Sequence, residues 1–333
     1  MIVARRVLLA LSAVLAVTLA ACGSPPAPPP SPAAPSGGGA FPVTITHRFG
    51  NTVIPEEPKR VVSLGYTDQD AILALGVVPV AIREFTGNQP SATWPWAQDE
   101  LKGQQPVVLN GEIGAETLAA LDPDLIVAVS AGLTQAQYDL FSQIAPTISQ
   151  PAAFVDYGTP WQDATRMIGN ALGRAPEAET LVTGLEARFA QVRAQYPVLA
   201  GRTVAGTRPS SNDNANFFVW GPQDLRGRFF DSLGMPVPPV FADLAKDAFY
   251  ASLSTEELGK LDTADAVVLI TASAAERATF EALPGYPRLK AVREGRFFVF
   301  DDQLSAALSF SSVLSLPEAL DRIPPEIAKA LEG

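Results

Sequence analysis

The chain has one cysteine and one histidine in 333 residues. A single cysteine excludes an intrachain disulfide framework and any CxxC-type zinc or redox site. A single histidine excludes His-cluster metal sites and leaves His47 as the lone candidate base for a Ser-His-Asp or Cys-His arrangement. Positive charge is also scarce: 24 Lys+Arg stand against 35 Asp+Glu, a net charge of −11. That balance argues against nucleic acid, whose phosphates select basic surfaces. No GxSxG elbow, no GxGxxG after a strand and no Walker A loop occurs, so no common enzyme signature is present. What the chain does have is apolar residues, 47% of the total, at only 18% charged residues, which is a globular composition.

The N-terminus reads as an address. Arg5 and Arg6 precede an apolar run over 7–19 and then Ala20-Ala21-Cys22. A basic start, a short apolar stretch and small residues at the boundary make a secretory signal, too short to span a membrane. Leu19-Ala20-Ala21-Cys22 matches the lipobox, so cleavage is expected after residue 21 with Cys22 lipidated on its sulfur. Residues 23–40 are rich in Pro and Gly and carry no charge, which predicts a tether. At ~3.1 Å per residue it reaches roughly 50 Å from the membrane. The expected location is therefore the outer face of the cell membrane.

From Phe41 onward, β-branched runs alternate with helical patterns, which predicts an α/β fold with mostly parallel sheet. Strands are expected at 43–46, 53–54, 60–64, 77–82, 125–129 and 147–148, then at 203–206, 266–271 and 296–300. Helices are expected at 68–75, 115–121, 135–144, 160–172, 225–233, 254–261, 274–283, 311–322 and 325–331. A long helix over 176–196 places Leu181, Leu185, Phe189 and Val192 on one face and stops at Pro197. It divides the chain into an N-terminal lobe (41–173), a connecting helix (174–197) and a C-terminal lobe (198–333). The stretch Glu116-Thr-Leu-Ala-Ala-Leu-Asp-Pro-Asp-Leu-Ile-Val127 resembles the stretch that opens at Glu256 and ends at Val268. Each is a helix opened by a carboxylate, a turn with two Asp, and a buried strand, as two related lobes would give.

These features, together with Pro58-Lys-Arg-Val-Val-Ser-Leu-Gly-Tyr66, Asp70-Ala-Ile-Leu-Ala-Leu-Gly-Val-Val-Pro-Val80, Trp94-Pro-Trp-Ala97 and Ser309-Phe-Ser-Ser-Val-Leu314, carry a resemblance. The chain is similar to the class III substrate-binding lipoproteins of ferric-siderophore and vitamin B12 ABC importers, most of all to the FecB-type branch. The resemblance implies two Rossmann-like lobes joined by one long helix and a ferric siderophore held between them. It also implies a monomeric receptor with no cofactor, and a surface Glu on each lobe that docks on a permease dimer. Glu116 and Glu256 match by helix register. Glu257 is the substitute for Glu256, although Ser254 and Glu257 stand at capping-box spacing.

Ligands of open α/β sheets sit beyond the carboxyl ends of strands. That rule selects Tyr66, Arg83, Phe85 and Ser130 in the first lobe, and Arg208 and Thr271 in the second. Trp94 and Trp96 lie on a long connection, 87–105, and join Trp220 and Arg226 as candidates; the three tryptophans fit a core as well as a cleft. Flat aromatic walls with a few arginines suit a bulky, oxygen-rich chelate whose iron needs no protein ligand. Haem or another tetrapyrrole is the alternative ligand, with Tyr66 or a methionine as its axial group. A non-transport scaffold lipoprotein is a further alternative. Residues 210–216 read as a polar loop, and His47 as a surface residue.

Overall fold

The computed structural model describes residues 41–210, 215–271 and 273–333. The signal sequence, Cys22 and the tether lie outside the described residues. Ala40–Gly333 form one compact unit.

A hairpin opens the chain, with β1 (Val43–His47) antiparallel to β2 (Gly50–Ile54). The next strands are β3 (Val61–Ser63), β4 (Ala81–Arg83), β5 (Val107–Leu109), β6 (Leu125–Ala128) and β7 (Thr147–Ser149). They form an all-parallel sheet in the order β5-β4-β3-β6-β7. Its helices are α1 (Asp68–Ala74), α2 (Ala115–Ala119), α3 (Gln135–Phe141) and α4 (Trp161–Ala171). Then α5 (Ala175–Gln195) carries the chain to the second lobe, with Pro at its start and Leu185, Phe189 and Val192 buried. Leu181 packs against the cores of both lobes, which makes α5 a shared wall.

The second sheet uses β8 (Val204–Pro209), β9 (Asn216–Trp220), β10 (Tyr250–Ser254), β11 (Ala266–Leu269) and β12 (Phe297–Val299). The order β10-β9-β8-β11-β12 places β8 and β11 where the first sheet has β3 and β6. Helices α6 (Leu225–Ser232), α7 (Pro239–Ala245), α8 (Ala274–Glu281), α9 (Lys290–Arg293), α10 (Asp302–Phe310) and α11 (Leu316–Glu332) surround it. The fold class is the expected one, two α/β lobes joined by one long helix.

Several expectations need correction. The second sheet is not mostly parallel: β9 is antiparallel to β8 and to β10. Neither β9 nor β10, nor β5, was expected as a strand, and Asn216 opens β9 rather than closing a loop. The helix expected at 311–322 does not begin until Leu316, because Ser311 sits in the left-handed region and ends α10, a helix outside the expected set. The next helix, α11, then runs on through Pro324 and Pro325, so no separate helix begins there. His47 is not at the surface: at 3% exposure its Nε2 is 2.9 Å from Thr52 Oγ1 and its ring lies against Tyr138. On β1 it alternates with exposed Thr46, so strand period, not chain position, decides its burial.

Candidate functional site

The loops that leave the parallel strands bring a row of aromatic rings together. Tyr66, after β3, has Phe85, after β4, at 5.0 Å and Tyr157, after β7, at 5.9 Å between ring centroids. Phe85 in turn lies 5.4 Å from Phe310 of α10, which belongs to the other lobe. The Arg83 guanidinium stands 4.3 Å over the Tyr66 ring. Phe85 and Tyr157 are 38% and 40% exposed, so this row presents aromatic surface to solvent. Tyr157 holds φ at 65°, and its hydroxyl fills the space that a side chain on Gly132 would need. The ring of Tyr157 is thus held in a less common backbone conformation and faces solvent.

Trp94 and Trp96 stack on one another at 5.3 Å, 2° from parallel, and Trp96 meets Phe310 edge-on at 5.3 Å. Trp94 is buried, with its Nε1 donating to Thr86 O. Trp96 Nε1 donates to Asp70 Oδ2 at 2.9 Å, and Ser312 of the second lobe donates to the same oxygen. The pair therefore cements the two lobes, and Trp94 offers no accessible wall.

In the second lobe Trp220 is 1% exposed and belongs to the hydrophobic core. Its candidacy as a cleft wall is corrected: Arg226 lies 5.0 Å over its ring and covers it. Arg226 is neutralised by Asp224, with Nε donating to Oδ1 at 2.8 Å and Nη2 to Oδ2 at 2.6 Å. Arg208, at the end of β8, stands across from Phe218 in the β8–β9 register, and Phe218 lies 4.6 Å from exposed Tyr250. Arg228 on α6 reaches over Phe154 of the first lobe at 5.6 Å. Beside it a groove of about 350 Å³ is lined by Trp161, Gln162, Glu186, Leu225, Arg228 and Ser311, among others.

The sequence reading missed Tyr157, Phe154, Phe218, Phe310 and Arg228 as site residues. The strand-end rule, extended to the loop after β7, points to the first two. Phe218 and Phe310 carry no such signal, because β9 and α10 were not expected. Ser130 is drawn inward, its N–H and hydroxyl donating to Asp68 at 3.0 and 2.7 Å. Among the described residues no group of His, Cys, Asp and Glu is arranged to hold a metal ion.

Residues 61–304 match the model of a family described as periplasmic binding protein. The chain belongs to that family. Its similarity to the probable siderophore-binding lipoprotein YfiY of Bacillus subtilis is 27% identity over 277 residues, 78% of this chain and 80% of the relative. A crystal structure of a periplasmic solute binding protein from Mycobacterium smegmatis is 36% identical, with a TM-score of 0.77. The match covers 87% of this chain and 98% of that one. PiaA from Streptococcus pneumoniae in complex with ferrichrome shares the fold at 24% identity and a TM-score of 0.74, over 87% of this chain and 99% of that one.

Two buried carboxylates sit at the start of α1 in this periplasmic binding protein. Burial pushes Asp68 up to about 6, against the hydrogen bonds from Ser130 and Val129 that hold it down. Burial pushes Asp70 up to about 6 as well, against Ser312 and Trp96. Both lie above their ordinary value of 3.8, so between pH 6 and 4 the native state binds more protons than the unfolded one. The two groups together therefore add a few kcal/mol to the unfolding free energy as pH falls from 7.5 to 5, at about 1.4 kcal/mol for each tenfold gain in proton affinity on folding. His47, whose imidazole is held by burial below its ordinary value, contributes in the opposite direction. Urea unfolding at the two pH values checks this, and Asp70→Asn should shrink the difference. An unchanged difference in that variant would reject Asp70 as a source.

Proposed function

We propose that this chain binds a ferric siderophore between its lobes and delivers it to an ABC importer permease. The observation that carries the reading is the Tyr157-Tyr66-Phe85-Phe310 row. It lies at the carboxyl ends of parallel strands, is built from both lobes and is overlain by Arg83. An aromatic wall with a fixed cation suits a large oxygen-rich chelate, and the chelator leaves no iron position for the protein to fill. The relatives named as siderophore-binding support it. The chain acts as a receptor and not as an enzyme, needs no cofactor, and works as a monomer. It is held at the outer membrane face by lipid on Cys22, with residues 1–21 removed. Among the described residues no helix is long and apolar enough to cross a membrane.

Glu116 and Glu256 supply the docking contacts to the permease. Both are exposed, in the first turn of their helices, and neither makes an ion pair among the described residues. Glu257 has local work, accepting from Ser254 N and pairing with Lys260 at 2.6 Å, so it is the weaker substitute. For haem, His47 is committed to the hairpin core and Tyr66 lies under Arg83, so neither stands ready as an axial ligand.

Tryptophan fluorescence tests the reading. Trp96 touches Phe310, which touches Phe85, so a chelate on the aromatic row lies close to an emitting ring. Titration with ferric siderophores of several classes should give saturable quenching with one class and none with its iron-free form. Equal quenching by the iron-free chelator, or binding of haem alone, would overturn the assignment.

A further inference from the structure

We infer that the ligand is an anionic ferric chelate, met by three arginines that have no counter-ion among the described residues: Arg83 from the first lobe, and Arg208 and Arg228 from the second. This rests on the siderophore reading and narrows it by charge. The half-buried arginines sort cleanly. Arg166, Arg174, Arg188, Arg226 and Arg296 each have a carboxylate partner. The side chains of Arg83, Arg208 and Arg228 make neither an ion pair nor a hydrogen bond to any described residue, although each is partly withdrawn from water. A chain with a net charge of −11 has acids to spare, so the omission is not for want of carboxylates. Arg226, two residues from Arg228, shows that the chain neutralises a guanidinium on this helix where structure needs it.

Arg228 carries the sharpest signal. Its Nε is buried without a partner. Asp163 and Asp231 line the same groove, yet neither comes within ion-pair distance. Burial holds its guanidinium below the ordinary value while those two acids pull it up, so the group is desolvated and under-compensated. A buried cation without a partner is costly, and an arriving anion relieves that cost.

The placement ties two of the cations to one surface. Arg228 stands over Phe154, and Phe154 shares a loop with Tyr157. Tyr157 meets Tyr66, and Arg83 covers Tyr66. Arg83 and Arg228 thus reach, from opposite lobes, rings that lead to the one loop carrying Phe154 and Tyr157. A guanidinium laid on a ring keeps its N–H edge free for two oxygens of a carboxylate or catecholate. Arg208 adds a third donor beside Phe218. A neutral or cationic chelate would leave all three without a counter-charge.

The test uses residues 23–333, which keep the whole compact unit, titrated with four ferric probes of different charge. Ferric citrate and a ferric tris-catecholate are anionic and separate the two oxygen chemistries; ferrichrome is neutral and ferrioxamine B cationic. One of the anionic probes should bind about 100-fold or more tighter than the neutral and cationic ones, with affinity falling as salt rises. Arg83→Gln and Arg228→Gln should each weaken that probe about 10- to 100-fold. Lysine at either position should recover part of the loss, and thermal melts separate lost contacts from lost fold. Ferrichrome or ferrioxamine B binding as tightly as the anions would overturn the charge inference and leave the siderophore reading standing. Failure of every ferric probe to bind would overturn both. Full affinity in the two Gln variants, or no salt dependence in the parent, would also overturn it.

Discussion

A Glu116→Ala/Glu256→Ala double variant is expected to bind its ferric ligand with unchanged affinity and to lose uptake down to the level of cells lacking the protein. Glu116 lies in the first turn of α2, and Glu256 in the first turn of the short 3-10 helix Thr255–Thr263. These elements precede β6 and β11, which hold equivalent places beside β3 and β8. The two carboxylates therefore occupy matching positions on the two lobes. Their local value as charges at helix starts is ~0.3–1 kcal/mol each, too little to unfold either lobe. Binding, melting and radioiron uptake should therefore separate, with the single variants intermediate. Glu257→Ala should do the reverse, lowering the melting temperature slightly through loss of its capping box while sparing uptake. Full uptake by the double variant would remove the docking role.

The second large effect is structural. Gly206→Ala is expected to destabilise the C-terminal lobe by on the order of 3 kcal/mol. The β8–β9 register pairs the neighbouring Thr207 with Val219, and a side-chain carbon on Gly206 would stand inside the indole ring of Trp220. Trp220 cannot retreat, because Phe230 stacks on it at 6.1 Å and Arg226 covers it. The control is Gly184→Ala in α5, where nothing lies within 4 Å, and which should gain roughly 0.5–1 kcal/mol. Thermal and urea unfolding measure both. A Gly206→Ala protein as stable as its parent would mean that Trp220 does not lie where it is described.

How far the sequence could be read follows from what each signal depends on. The parallel strands of the first lobe show themselves as short β-branched runs, and α5 by its Leu185-Phe189-Val192 face and bounding prolines. The capping box at Ser254 and Glu257 was legible from spacing alone, and the structure forms it. Tyr66, Arg83 and Phe85 followed from one topological rule, and the structure brings them together. The rest depended on pairing across distance. Nothing local in Tyr250–Ser254 announces an edge strand, since its partner β9 supplies the hydrogen bonds. Trp94 and Trp220 are aromatic in the same way as Tyr66, yet one is closed in by Trp96 and the other by Gly206 and Arg226. Composition cannot tell a wall from a brace when the difference lies in what covers the ring. Asp70, a helix-start acid by sequence, becomes an interlobe acceptor only because Ser312 arrives from the far end of the chain.

That buried Asp70 contact, together with Trp96 against Phe310, fastens the lobes at a second place besides α5. A molecule clasped on two sides spends little of its binding free energy on populating a shut form, so affinity carries no conformational tax. Capture is then governed by encounter and release by contacts at the rim. An importer that received such a carrier would read loading from the cargo's own surface rather than from a wide movement of the lobes.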